Sequence, residues 1–162
     1  MSRNTAQTNE FTQEGLSGPP PWLDDFDRRI LAEMRTLAPE WLEGCGLRAC
    51  WFEPTFHKHV GKLCSGLHIH AEAPLYHHEA FRPWRLQALA FKAIRRLDPE
   101  YDLWRDFPYE YVLDKLAIDV INGSPLLREW VDDAGAAPSD LDAITIPDER
   151  DWEEQRKPYL LY

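Results

Sequence analysis

The chain has 162 residues, 44% of them hydrophobic, with 18 Lys/Arg against 28 Asp/Glu and a formal charge of −10. That length supports one core and excludes two comfortable domains, while the negative balance excludes a general nucleic-acid binder, which must displace counterions from a phosphate backbone. No apolar run reaches the length of a membrane span, and the opening MSRNTAQTNEFTQEGLSGPP lacks the apolar centre of a signal peptide, so the chain as written is expected to be cytoplasmic and to meet no membrane.

Residues 1–21 are polar and then rich in Gly and Pro, which predicts a flexible leader, with residues 22–162 forming a single domain. In WLDDFDRRILAEMRTL, apolar residues at Trp22, Leu23, Phe26, Ile30, Leu31, Met34 and Leu37 recur on one helical face, and Pro39 stops the helix. GLRACWFEP predicts a strand starting near Leu47 and broken at Pro54. SGLHIHAEA predicts a second, with Leu67 and Ile69 on one face and His68 and His70 on the other. RPWRLQALAFKAIRRLDPE predicts the clearest helix: Pro83 sits in its first turn, Arg95 and Arg96 in its last, and Pro99 just past its end. Its buried stripe would be Leu86, Leu89, Ala90, Ala93, Ile94 and Leu97. After the irregular aromatic stretch YDLWRDFPYEYV, KLAIDVING and SPLLREWVDDAG predict short helices, the second capped by Ser124. Asp151 to Lys157 is expected to be helical and PYLLY extended. The whole reads as an α+β domain, with helices packed on a small, largely antiparallel sheet.

The chemistry concentrates in FEPTFHKHVGKLCSGLHIH, residues 52–70, which holds four of the six histidines. His-x-His occurs twice, at His57/His59 and His68/His70, but Gly61 and Gly66 imply a turning connection between the pairs. No Asp or Glu lies among them, so a metal site is not expected. Cys64 precedes His68 by four residues, which raises a Cys–His nucleophile, but a cysteine at the entrance of a strand reads first as a small buried hydrophobe. Cys45, Cys50 and Cys64 match no zinc spacing and read as reduced thiols, with a Cys45–Cys50 bridge open only on export. Glu53, Glu72 and Glu79 lie nearby, yet nothing in their spacing pairs two carboxyl groups as glycosidase chemistry requires. The span from Arg48 to Arg105 carries nine Lys/Arg against six Asp/Glu, a modestly basic middle on an acidic chain.

Four strings, FEPTFHKHVGKLCSGLHIH, FRPWRLQALAFKAIRRLDPEY, PYEYVLDKLAIDVINGSPLLRE and RKPYLLY, together resemble the C-terminal domain of the NamZ-like peptidoglycan exo-β-N-acetylmuramidases. The likeness runs from about Trp51 to Tyr162, and Glu14-Gly15 followed by GPPPWLD resembles the junction leading into that domain. The matched positions are Pro54, Thr55, Phe56, Lys58, Gly61, Cys64, Gly66 and His70, then Phe81, Arg82 and Pro83, Gly123 and Ser124, and Tyr159 to Tyr162. His68 departs from the family, which usually has an uncharged polar residue such as Gln there.

The resemblance implies a Rossmann-like N-terminal domain beside this one, with N-acetylmuramic acid bound in the cleft between them. The acid/base glutamate of the family belongs to that other domain. No catalytic residue, metal or cofactor is therefore expected from this chain. It implies a peptidoglycan-derived muramic-acid saccharide as ligand, with Thr55, Lys58, His70 and Arg82 as binding residues, and Lys58 or Arg82 pairing with the lactyl carboxylate. Either a separate Rossmann-like catalytic domain or a second copy of the chain would cover the exposed apolar surface. Two other readings stand beside this accessory role: a non-catalytic module binding peptidoglycan fragments, and an autonomous enzyme using Glu53 or Glu72.

Overall fold

The computed structural model describes residues 21–161, with side chains from Asp25 onward. The predicted leader through residue 20, with Glu14 and Gly15, the side chains of Trp22 and Leu23, and Tyr162 lie outside the described residues. Helix α1 spans Pro21–Leu37, and its apolar stripe buries Ile30, Leu31 and Met34. Pro39 cannot continue the helix. Instead Pro39–Leu42 forms a 3-10 turn that carries Trp41 into the core, where it packs 6.2 Å from Trp130.

At Gly44 the chain takes φ +79°, and its carbonyl accepts the His77 amide at 3.1 Å. A Cβ here would lie 2.6 Å from the Phe81 amide nitrogen, so only glycine fits this close approach. Strands β1 (Gly46–Phe52) and β2 (Cys64–His70) then pair antiparallel from Gly46↔His70 to Phe52↔Cys64. Alternation sends Leu47 and Leu67 to the helical core and leaves Arg48, Cys50, Phe52, Cys64, His68 and His70 on the outer face. Leu67 and Ile69 share a face, as the alternation predicts. Cys45 and Cys50, five residues apart, fall on opposite faces of this extended segment; all three cysteines are free, and burial raises the Cys45 thiol above its ordinary pKa.

Helix α2 (Pro83–Leu97) crosses the middle of the molecule, between α1 on one side and α4 and α5 on the other. Of its predicted stripe, Leu86, Leu89 and Ala93 are buried and Ala90, Ile94 and Leu97 half-buried. Its other side is buried too. There Ala88, Arg85 and Lys92 go under, the last at 1% exposure. Helices α3 (Ala117–Asn122) and α4 (Leu126–Asp132) follow, tied by a two-pronged Arg128–Asp119 pair with bonds of 2.9–3.2 Å that raises the Arg128 pKa. Gly123 closes α3 at φ +81°. The residue before α4 is Pro125, and the Ser124 side chain does not cap it.

The predicted terminal helix is longer than expected. Helix α5 covers Pro138–Arg156 rather than starting at Asp151. Pro147 lies inside it and only Leu141 of its side chains is buried, so neither composition nor apolar spacing announced its first half. At its start the Ala137 amide donates to Asp140 Oδ2 at 2.8 Å. Lys157–Tyr159 make a 3-10 turn, and the predicted extended end begins only at Leu160. Among the described residues no helix is long and apolar enough to cross a membrane.

Candidate functional site

The hairpin and the segments facing it carry most of the polar residues singled out by sequence. At its open end, Arg48 stands opposite His68 and diagonal to His70. Its Nε donates to His70 Nε2 at 2.8 Å, and its Nη2 meets His68 Nδ1 at 3.1 Å. A guanidinium has only donors, so both facing ring nitrogens must accept, which fixes each tautomer. His70 therefore carries its proton on Nδ1 and donates it to Glu72 Oε1 at 2.7 Å. The two rings stack at 4.1 Å between centroids.

This arrangement leaves Cys64 without a base. The nitrogens of His68 and His70 on that face are taken by Arg48, and the Cys64 thiol instead meets the Lys62 carbonyl at 3.5 Å. The nucleophile raised by spacing is not assembled. Among the described residues, no group of three or more His, Cys, Asp or Glu side chains is placed to hold a metal ion.

At the other end, the connection between the strands turns through positive φ at three residues: His57 (59°), His59 (63°) and Gly61 (68°). Two of these are not glycine, which makes the loop unusual. It is closed by Gly61 N–H to the Pro54 carbonyl at 3.3 Å and Lys62 N–H to the His59 carbonyl at 3.0 Å. Lys58, between the two histidines, borders a depression of about 540 Å³ with His59, Tyr101, Asp102 and Arg105. Lys58 and Arg105 have no ion-pair partner among the described residues. Farther along the chain, the turn Tyr109–Val112 also holds non-glycine residues at positive φ, Glu110 at 49° and Tyr111 at 66°. Non-glycine residues held this way cost about 1 kcal/mol or more each and persist where surrounding structure fixes them, often beside ligands.

Arg82 sits elsewhere. It precedes α2, and its Nη1 donates to the Glu79 and Phe81 carbonyls at 2.8 and 3.4 Å. The depression beside it, about 580 Å³, is bordered by Glu40, Glu43, Glu79, Asp142 and Glu149. Asp142 and Glu149 are paired with Arg85, which borders the same depression, but Glu40, Glu43 and Glu79 keep the balance there negative, which opposes an anionic ligand at Arg82. Thr55 is exposed in the hairpin connection, as is Lys58, while His70 is half-buried and committed to Arg48 and Glu72. The four predicted residues thus divide among three places: Thr55 and Lys58 in the connection, His70 at the hairpin's open end, and Arg82 before α2. Arg48, Tyr101 and Arg105 were missed. Arg48 would have been found by pairing the two predicted strands in register; the other two are brought in by tertiary folding from beyond α2.

Comparison with curated proteins and with solved structures gives no match. A family model described as exo-β-N-acetylmuramidase NamZ, C-terminal, matches residues 7–162, nearly the whole chain. The likeness noted in the four strings thus extends across the folded domain, and the chain belongs to the family of NamZ exo-β-N-acetylmuramidase C-terminal domains.

Proposed function

We propose that this chain is the substrate-cleft domain of an exo-β-N-acetylmuramidase that acts on peptidoglycan fragments, working beside a Rossmann-like domain that carries the catalytic glutamate. The observation that supports a sugar-acid site here is the depression bordered by Lys58, His59, Tyr101, Asp102 and Arg105. Two cations without carboxylate partners suit the lactyl carboxylate of muramic acid. Tyr101 offers a ring for the pyranose and Asp102 an acceptor for its hydroxyls. The Thr55 hydroxyl, in the same connection, adds a donor and acceptor. His70 orients Arg48, and Arg82, set among carboxylates, is the least suited of the four to meet an anion.

Lys58→Met tests the reading. The variant is expected to bind a muramic-acid disaccharide about tenfold more weakly, the loss of one charge-assisted hydrogen bond. Its affinity for an N-acetylglucosamine disaccharide, which lacks the lactyl group, should stay near that of the parent. Calorimetric titration of both ligands decides, and equal losses would count against a carboxylate role. A chromogenic β-N-acetylmuraminide separates the roles of the two domains. The 162-residue chain alone is expected to release no chromophore above a heat-killed control, and turnover would show that it holds a complete active site.

A further inference from the structure

The outer face of the hairpin carries a second constellation, distinct from the loop depression. Phe52 lies across the Gly66 position: a Cβ built on Gly66 would sit 3.4 Å from Phe52 Cε1. The aromatic ring thus fills the place of the missing side chain and remains half exposed, at 49%. Gly66 is opposite Cys50, and Arg48 is the next residue on that face toward the open end. One such step is two residues, about 6.6 Å along a strand. The ring, lying over Gly66, and Arg48, one such step farther toward the open end, therefore share one open face.

Arg48 differs from the arginines that hold the fold together. Arg85, Arg95, Arg96 and Arg128 are each paired with a carboxylate. Arg48 is held by two imidazoles, which accept its Nε and Nη2 hydrogens without cancelling its charge. Its Nη1 has no partner among the described residues. The histidines act as a brace, and the free edge of the fork faces away from them. Glu72, the carboxylate bonded to His70, reaches Arg48 only through that ring.

We propose that Phe52 and Arg48 form a second subsite, in which the ring stacks on the apolar face of a pyranose and the free edge of the guanidinium binds a carboxylate. That carboxylate belongs either to the sugar itself or to a peptide attached to it. The proposal rests on the sugar-cleft reading above and extends it. The domain then holds a glycan along the hairpin, with the terminal muramic acid at Lys58 and a further unit at Phe52. The stack of His68 on His70, two residues apart on β2, has its use here: it sets the plane of the guanidinium before the ligand arrives, so less freedom is lost on binding.

The test titrates the full chain with N-acetylmuramic acid, with a muramic-acid-containing tetrasaccharide, and with the same tetrasaccharide bearing stem peptides. Arg48→Gln keeps an amide donor for the histidines while removing the charge. It should weaken tetrasaccharide binding about tenfold and leave N-acetylmuramic acid unchanged. Phe52→Leu should show the same selectivity. Arg48→Lys keeps the charge without the fork and should recover part of the loss. Loss with the peptide-free glycan assigns the carboxylate to the sugar, and loss confined to the peptide-bearing one assigns it to the peptide. Unchanged binding of both tetrasaccharides, with and without stem peptides, by a folded Arg48→Gln overturns the subsite while leaving the Lys58 reading intact, and so does an equal loss on the single sugar. A parent chain that binds none of the three ligands overturns both.

Discussion

Lys92→Met is expected to lower the stability of the domain by about 3 kcal/mol, read as a fall in Tm of roughly 6–12 °C in thermal unfolding. The ammonium is buried, and it donates to the carbonyls of Trp130 at 2.7 Å, Asp133 at 2.5 Å and, more weakly, Val131 at 3.4 Å. Trp130 and Val131 hold two of the last carbonyls of α4, which have no partner within their own helix, and Asp133 is the residue just past its end. The ammonium also lies 4.9 Å from the centre of the Trp130 ring. One side chain of α2 thus caps the C-terminus of α4 with a full positive charge, where the helix dipole favours it. Methionine keeps the apolar stem, so the loss isolates the capped carbonyls rather than a cavity. A change of less than about 1 kcal/mol would mean that water replaces the ammonium there without penalty.

The same residue gives a pH signature whose sign follows from its burial. Desolvation pulls the Lys92 pKa below the ordinary lysine value. In the unfolded chain the amine titrates near the usual ~10.4. Between the depressed folded value and that point the unfolded state binds the extra proton. Stability contributed at Lys92 therefore rises with pH across this alkaline window. Subtracting the Lys92→Met profile from the parent profile should expose that positive slope.

The second large effect is expected at Arg85. Its side chain enters from α2 and meets three residues of one face of α5: Asp142 at 2.7 Å, Thr145 at 3.0 Å and Glu149 at 2.5 and 3.2 Å. The Glu149 bond, then Asp142, holds the guanidinium above its ordinary pKa against the opposing cost of burial. Only Leu141 anchors α5 through the hydrophobic core, so Arg85 is what docks the helix beyond its first turn. Arg85→Met should therefore raise amide hydrogen exchange across Thr145 to Arg156 while leaving α1 and the start of α2 protected. Overall stability should fall by about 1–3 kcal/mol, because the freed carboxylates on α5 are partly exposed and can rehydrate. Arg85→Lys should recover little, since a point charge cannot reach Asp142 and Glu149 together as the fork does. Uniform loss of protection would instead make α5 part of one cooperative unit with the core.

These two residues also mark where sequence reading ended. Helices α1 to α4 and both strands were legible because apolar spacing reports the side of an element that faces the core. Arg85 and Lys92 lie on the long helix but off its predicted stripe. A stripe rule assumes one buried side, and α2 has two. Lys and Arg count as surface residues until a third element closes over them, and α4 and α5 do so here. Most of α5 was hidden for the same reason, since it docks through carboxylates and carries a proline. At the candidate site, Lys58 and His70 were legible as polar residues of a family pattern. Their neighbours were not, because Tyr101, Asp102 and Arg105 reach the loop from beyond α2, through an irregular segment that no periodicity encodes. Arg82 shows the converse: its charge was legible, and the carboxylates that surround it were not.

The glycine contact between the hairpin and the start of α2 has a mechanical meaning. At Gly44, backbone meets backbone: the carbonyl holds the His77 amide, and the bare Cα rests against Phe81. No side chain lies in that joint to deform under load. A force on the hairpin would therefore pass through this joint to the segment leading into the helix that organises the rest of the domain.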